Sequence, residues 1–207
     1  AGILDSPAET PRHYAVFAHC FTCRKDLKAI VKICRRLAKQ SIATLRFDFT
    51  GLGNSHGKFE ESNFETNIGD LRSAVTWLTA NHQSPSLMMG LSLGGATVMA
   101  VADQVPSVKA IATVAAPSCT KHLADFLAVQ NPAIESEGVG MVNTGATEHP
   151  ITAQMLASFR QYDLEAKIRS FSTPHLILHS PADQTVKFQH AENLFAWTGG
   201  PKAMISL

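Results

Sequence analysis

The sequence has no strong excess of charge, few cysteines and no long apolar run. Its 18 Lys and Arg residues nearly balance 17 Asp and Glu residues, which leaves a net charge of +1. Charge therefore gives no indication of a nucleic acid or an anionic membrane as partner. The longest weakly polar stretch, 87–102, contains glycines and fits a buried strand and helix rather than a membrane span. The first residues lack the basic start and apolar segment of a signal peptide.

Cysteine is scarce, with Cys20, Cys23, Cys34 and Cys119 in 207 residues. These are too few for the disulfide framework of a secreted domain of this size, so we expect a reducing, cytoplasmic compartment. Cys20 and Cys23 form a C-x-x-C pair, a spacing used by redox dithiols and by half of a zinc site. No second Cys/His pair stands at zinc-finger spacing, and no metal is expected. A thiol-redox role and a structural role in a loop that lines a site both stay open.

Apolar, strand-like runs alternate with amphipathic helical patterns along the chain. This alternation is typical of an α/β fold with a mostly parallel, doubly wound sheet and helices on both faces, and the length fits one domain, 1–207. The predicted strands are 14–18, 42–47, 86–89, 108–114, 174–179 and 202–207. The predicted helices are 26–40, 62–78, 95–102 and 186–197.

Glycines and prolines break this rhythm between residues 118 and 162. An insertion of that length after the strand near 108–114 is predicted to act as a lid over a site; the alternative is a flexible surface excursion. Its larger apolar side chains either line a pocket or pack within the lid itself: Phe126, Met141, Met155 and Phe159.

Gly90-Leu91-Ser92-Leu93-Gly94 is a G-x-S-x-G sequence between an apolar run and a helix that begins with small residues. A serine on a sharp strand-to-helix turn presents its Oγ at the top of a sheet, and the glycines allow the tight packing there. We therefore predict that Ser92 is a nucleophile. The alternative is a glycine-rich turn with an incidental serine.

A serine nucleophile needs a base and a carboxylate that orients it. Asp183 follows the strand 174–179, at the sheet edge expected for Ser92, and is the predicted acid; the alternative is a solvated turn aspartate. His190 is the one histidine after Asp183, but it falls within a predicted helix. The base is therefore expected beyond Leu207, and the chain without it is expected to be weakly active.

An oxyanion hole needs two N–H donors near the serine. The Leu93 N–H is the first predicted donor, and the loop after strand 14–18 supplies the second. In that loop the Phe21 N–H is preferred over that of Cys20. His19 is expected to anchor the loop rather than act as the base, and His19 and Cys20 are expected at the substrate.

Together these residues resemble the α/β-hydrolases. Residues 46–55 are similar to the family's loop after the corresponding strand, and 17–27 together with 90–95 resemble a bacterial subgroup whose hydrolase domain is often fused to an OsmC-like domain. The resemblance implies an esterase-type α/β-hydrolase fold, with the nucleophile at Ser92, the acid at Asp183 and an OsmC-like domain as partner. Two departures are the Cys20 side chain, where many members have glycine, and the absence of the family's terminal histidine in 1–207.

The predicted activity is hydrolysis of small carboxylic esters or thioesters through an acyl-enzyme on Ser92, with no cofactor, metal, nucleic acid or membrane involved. Two alternatives from other classes remain. One is a thiol-redox role of Cys20 and Cys23, and the other is a non-catalytic binding module that retains the fold.

Overall fold

The computed structural model describes residues 1–144, 147–170 and 172–207. The strands are β1 (Gly2–Asp5), β2 (His13–Ala18), β3 (Ile42–Phe47), β4 (Leu87–Leu91), β5 (Ala110–Val114), β6 (Val139–Asn143), β7 (Glu148–Thr152), β8 (His175–His179) and β9 (Lys202–Ser206). The helices are α1 (Lys28–Ala38), α2 (Phe64–Asn81), α3 (Leu93–Val101), α4 (Lys121–Gln130), α5 (Ala133–Ser136), α6 (Ala153–Gln161), α7 (Leu164–Ser170) and α8 (Gln189–Trp197).

Seven strands form one sheet in the order β1-β3-β2-β4-β5-β8-β9. β1 runs antiparallel to β3, and the other neighbours are parallel. The predicted α/β-hydrolase fold with a mostly parallel sheet is confirmed. The chain passes from β2 to β3 on one side and then from β3 back across β2 to β4 on the other, so the strand order reverses at β2. Such a reversal opens a crevice at the carboxyl ends of β2 and β4.

Helices bury apolar side chains on both faces of the sheet, which is why its central strands carry almost no polar residues. On one face α2 contributes Phe64, Leu71 and Leu78, each fully buried, and every residue of α3 is buried. On the other face α1 packs Ile30 and Cys34 in a smaller cluster. The start of α2 is fixed by a capping box, in which the Asn63 side chain accepts the Thr66 N–H and the Thr66 hydroxyl accepts the Asn63 N–H; these bonds satisfy N–H groups that the first turn leaves unpaired.

The inserted segment, residues 118–162, lies between β5 and α7 and contains α4, α5, α6 and a β6–β7 hairpin separate from the main sheet. Residues 145 and 146 of this predicted lid, Gly145 among them, lie outside the described residues. Met155 and Phe159 are buried in the main core, whereas Phe126 and Met141 are half exposed. The β6–β7 hairpin pairs its own two short strands, which the interrupted pattern of this segment does not predict.

Within the described ranges, no helix is both long enough and apolar enough to cross a membrane.

Candidate active site

Ser92 occupies the sharp turn between β4 and α3. Its backbone has φ 52° and ψ −121°, a region that residues with a Cβ rarely adopt. The turn is held by the Ser92 N–H, which donates to the Val114 carbonyl at 2.8 Å, and by the Gly95 N–H, which donates to the Ser92 carbonyl at 2.8 Å. The serine is thus fixed in a strained geometry by its neighbours.

Gly90 and Gly94 allow the close approach that this turn requires. A Cβ on Gly90 would lie 2.3 Å from the Gly94 carbonyl oxygen, and a Cβ on Gly94 would lie 2.3 Å from the Ala18 carbonyl oxygen. Both distances are far below van der Waals contact with backbone atoms that cannot move aside. Glycine at both positions therefore brings the start of α3 against the end of β2, next to the predicted oxyanion loop.

Two backbone donors near Ser92 are unused. Leu93 is the first residue of α3, and Phe21 lies in the loop after β2. Neither N–H donates a hydrogen bond to any residue that the structure describes. Both residues, with Cys20 and Ser92, line one cavity.

His19 anchors the loop after β2 through two hydrogen bonds of its ring. Its buried ring donates from Nδ1 to the Cys20 carbonyl at 2.8 Å and accepts the Phe49 N–H at Nε2, 3.2 Å away; because an N–H can only donate, these partners assign the proton to Nδ1. Burial lowers the pKa of His19, which keeps the ring neutral. The cavity lining includes Cys20 but not His19.

Lys25 and Asp48 fix the far end of the same loop. The Lys25 ammonium lies 2.6 Å from Asp48 Oδ2, and the Lys25 N–H donates to Oδ1 at 2.7 Å. Burial alone raises the pKa of the Asp48 carboxyl, but hydrogen bonds from the Asn54 N–H and from Lys25 outweigh it, so that this pKa lies below its usual range. The carboxylate is therefore charged and fully engaged.

Cys20 and Cys23 form a disulfide, with their Cα atoms 5.2 Å apart. The Cys23 N–H donates to the Cys20 carbonyl at 3.2 Å, which closes a tight turn. Thr22 within the turn has φ 54°. Both cysteines line the same cavity as Ser92.

Asp183 also lines this cavity, from the loop that follows β8. Its Oδ1 accepts the N–H groups of Thr185 and Val186 at 2.8 and 2.9 Å. Its Oδ2 lies 3.6 Å from Nε2 of His179, which itself donates to the Val186 carbonyl at 2.7 Å. The loop thus holds the carboxylate through Oδ1, while Oδ2 accepts no hydrogen bond from a residue that the structure describes.

Two histidines lie beside the site in other roles. His190, in α8, accepts the Ser118 N–H at Nδ1, 3.2 Å away. Burial, together with the neighbouring His122 and His179, lowers the pKa of His190 to about 4. His122, in α4, lines the cavity and donates from Nδ1 to the Cys119 carbonyl at 2.9 Å. Sequence reasoning missed His122, since no motif or spacing marks it.

The cavity has a volume of about 470 Å³. Its lining is mainly apolar. The apolar lining includes Leu91, Leu123, Phe126, Leu127, Val142 and Val186. Of the four predicted lid residues, only Phe126 belongs to this lining; Met155 and Phe159 line a smaller crevice beside it. In the described parts of the chain, no group of three or more His, Cys, Asp or Glu side chains is arranged to hold a metal ion.

Comparison with known proteins shows the family and the fold of the chain. The Hydrolase_4 family model, described as serine aminopeptidase, S33, matches residues 11–137. The chain is 41% identical to the esterase domain of a Rhodothermus marinus protein, covering 98% of this chain and 80% of that one, with a TM-score of 0.76. Est1E of Butyrivibrio proteoclasticus, solved with ferulic acid, has a TM-score of 0.85 at 20% identity over 100% of this chain and 84% of that one, which is a likeness of fold.

Among curated proteins, the mitochondrial palmitoyl-protein thioesterase ABHD10 of Pongo abelii is 27% identical over 158 residues. The match covers 74% of this chain and 46% of the thioesterase. The chain spans less than half the length of the curated relatives it matches.

Proposed function

The chain belongs to the serine aminopeptidase S33 family of the α/β-hydrolase superfamily, and from this membership we propose that it hydrolyses small carboxylic esters or thioesters. The observation that carries the proposal is the strained turn at Ser92, beside two unused N–H groups and an apolar cavity. That combination supplies a nucleophile, an oxyanion site and space for an acyl group.

In the proposed reaction, Ser92 Oγ attacks the acyl carbonyl as its proton passes to a base. The carbonyl oxygen becomes an oxyanion, which accepts hydrogen bonds from the Phe21 and Leu93 N–H groups. The positive end of α3 adds to this stabilisation, since Leu93 is the first residue of that helix. The alcohol or thiol leaves with a proton from the base, and water then hydrolyses the acyl-enzyme.

We assign the orientation of the base to Asp183 Oδ2, because Oδ1 is taken by two N–H groups of its own loop. The base itself is proposed to be a histidine carried past Leu207. His190 is a poor substitute, since its Nδ1 is bonded to Ser118 and its pKa is about 4. His122 lines the cavity and is the alternative base within this chain. An experiment must distinguish it from a histidine past Leu207.

The substrate is proposed to place its acyl group against the apolar lining, with Phe126 at the outer part of the cavity, where its side chain is half exposed. By their names, one similar protein is an esterase domain and another acts on palmitoyl-proteins. A cytoplasmic location and an OsmC-like partner domain stay predictions from the sequence, to be checked by fractionation and co-purification.

The test is labelling of Ser92 by a fluorophosphonate, followed by intact mass, with and without imidazole as a soluble base. We expect slow labelling of this chain, acceleration by imidazole, and fast labelling in a form extended past β9. Ser92→Ala is the control for site specificity. Absence of labelling under all three conditions would overturn the proposal and favour a binding module.

His122→Gln separates the two sources of the base. Fast labelling of this chain without imidazole, abolished by His122→Gln, would contradict the assignment of the base to a later segment. Unchanged labelling of His122→Gln would support that assignment.

A further inference from the structure

The Cys20–Cys23 disulfide lies where a soluble thiol can reach it and where its state can affect catalysis. Both cysteines are partly exposed and line the cavity with Ser92. Cys34, in contrast, is fully buried, and burial raises the pKa of its thiol to about 12. We therefore expect no thiol–disulfide exchange at Cys34. Cys119 is a free thiol and partly exposed, so the test below removes it.

The loop that contains the disulfide is fixed at both ends. His19 is bonded to the Phe49 N–H, and Lys25 is paired with Asp48. Arg46 adds a hydrogen bond to the Lys25 carbonyl at 3.1 Å. Both ends are therefore tied to β3 and the loop that follows it, and the conformational freedom that remains lies between residues 20 and 23.

Within that short stretch the disulfide opposes relaxation of the backbone. Thr22 has φ 54°, a conformation that costs a β-branched residue more than most. With the ends held, any return of Thr22 to negative φ must be compensated within the same four residues. The Phe21 N–H lies in this stretch, so its direction changes with the conformation of Thr22.

We propose that Cys20–Cys23 is a redox-active site of this protein, and that its oxidised form holds the Phe21 N–H in the direction needed by the oxyanion. The second part rests on the proposed function. The co-substrate is a dithiol. One of its thiolates attacks a cysteine sulfur, the Cys20–Cys23 bond breaks, and the released cysteine thiolate takes a proton.

The second thiol of the reagent then attacks the mixed disulfide. The reagent leaves as a cyclic disulfide, and two electrons and two protons have passed to the cysteine pair. Loss of one oxyanion donor lowers kcat by about 10²–10³-fold in other hydrolases. Because reduction misdirects this donor rather than deleting it, we expect a fall of roughly tenfold or more in the Ser92 labelling rate, up to that limit.

Three measurements on the folded, full chain test the proposal. Dithiothreitol without denaturant is expected to make Cys20 and Cys23 reactive to iodoacetamide in a Cys119→Ser background. Amide hydrogen exchange of the peptide that covers 19–25 is expected to rise on reduction. The fluorophosphonate labelling rate with imidazole is expected to fall on reduction, and Cys20→Ser/Cys23→Ser is expected to label slowly and ignore dithiothreitol.

The outcomes distinguish three claims: the redox activity of Cys20–Cys23, its control of the Phe21 N–H, and the proposed hydrolase function. A pair that resists reduction in the folded protein, or an exchange rate that does not change, overturns the proposal. An unchanged labelling rate after complete reduction overturns the control of the oxyanion donor. Absence of labelling in both redox states, with reduction and exchange as expected, overturns the proposed hydrolase function but leaves the redox site supported.

Discussion

The Lys25 ammonium lies 2.6 Å from the Asp48 carboxylate, and the two side chains are 5% and 0% exposed. This ion pair joins the end of the loop after β2 to the loop after β3, 23 residues further along the chain. Removal of one partner would leave the other charge buried without compensation.

Lys25→Met is therefore expected to lower the free energy of unfolding by about 3–5 kcal/mol. Lys28→Met, at an exposed position on α1, is the matched control and should change it by less than about 0.5 kcal/mol. Urea unfolding at pH 7 measures both. Equal effects of the two substitutions would contradict the structural role of the pair.

Stability should decrease between neutral and mildly acidic pH. Burial lowers the pKa of His175 from 6.5 to about 4, so in this pH range the unfolded chain binds a proton that the folded chain excludes, and stability falls as the pH is lowered. The loss from this group is on the order of 3 kcal/mol. Urea midpoints at pH 7 and pH 4.5 should differ less in His175→Gln than in the unchanged chain.

The strained backbone of Ser92, the proposed nucleophile, predicts a stabilising substitution at this position. Ser92→Gly should raise the free energy of unfolding by about 1 kcal/mol, because glycine adopts φ 52° without a steric penalty. Ser92→Ala retains a Cβ and should not stabilise the fold. Both should abolish fluorophosphonate labelling, and thermal unfolding distinguishes them; equal melting temperatures would mean that the strain is absent.

Two glycines should respond in opposite ways to alanine. A Cβ on Gly94 would meet the Ala18 and His19 carbonyl oxygens at 2.3 and 2.4 Å, whereas a Cβ on Gly69 in α2 meets no atom within 4 Å. Gly69→Ala should therefore stabilise the protein by about 0.8–1 kcal/mol. Gly94→Ala should destabilise it and slow the labelling of Ser92, since α3 must move away from β2.

Phe126 should influence the choice of acyl group. Phe126→Ala enlarges the apolar part of the cavity without opening the core, since the side chain is 51% exposed. We expect KM to rise for esters with longer acyl chains and to stay unchanged for acetyl esters. Val129→Ala, at a position that is 81% exposed and outside the cavity lining, is the control and should leave both values unchanged.

The sequence predicts those parts of the structure that depend on local pattern. The strand at 42–47 and the turn at Ser92 agree with β3 and the start of α3, because apolar runs and glycine spacing determine them locally. The helix expected from Asp26 begins at Lys28, since the Asp26 carboxylate is bonded to Arg46 instead of capping the helix.

Other features depend on contacts between distant residues, and no local pattern reveals them. The Lys25–Asp48 pair joins positions 23 residues apart, and His122 reaches the cavity only because α4 packs over it. The state of Cys20 and Cys23 was likewise open, because C-x-x-C spacing is compatible with thiols, a disulfide or a metal. The β6–β7 hairpin escaped detection because glycine and proline interrupt both short strands.

The pairing of β2 with β4 places Ala18 opposite Gly90, and this register sets the distance between the Phe21 loop and Ser92. A shift of one residue would displace the serine by about 3.3 Å and turn its side chain to the opposite face. Under the proposed function, strand register thus positions Ser92, while the inserted segment contributes apolar cavity lining that includes Phe126, Leu127 and Val142. Selectivity can therefore diverge by sequence change in the inserted segment while the chemistry of the fold is preserved.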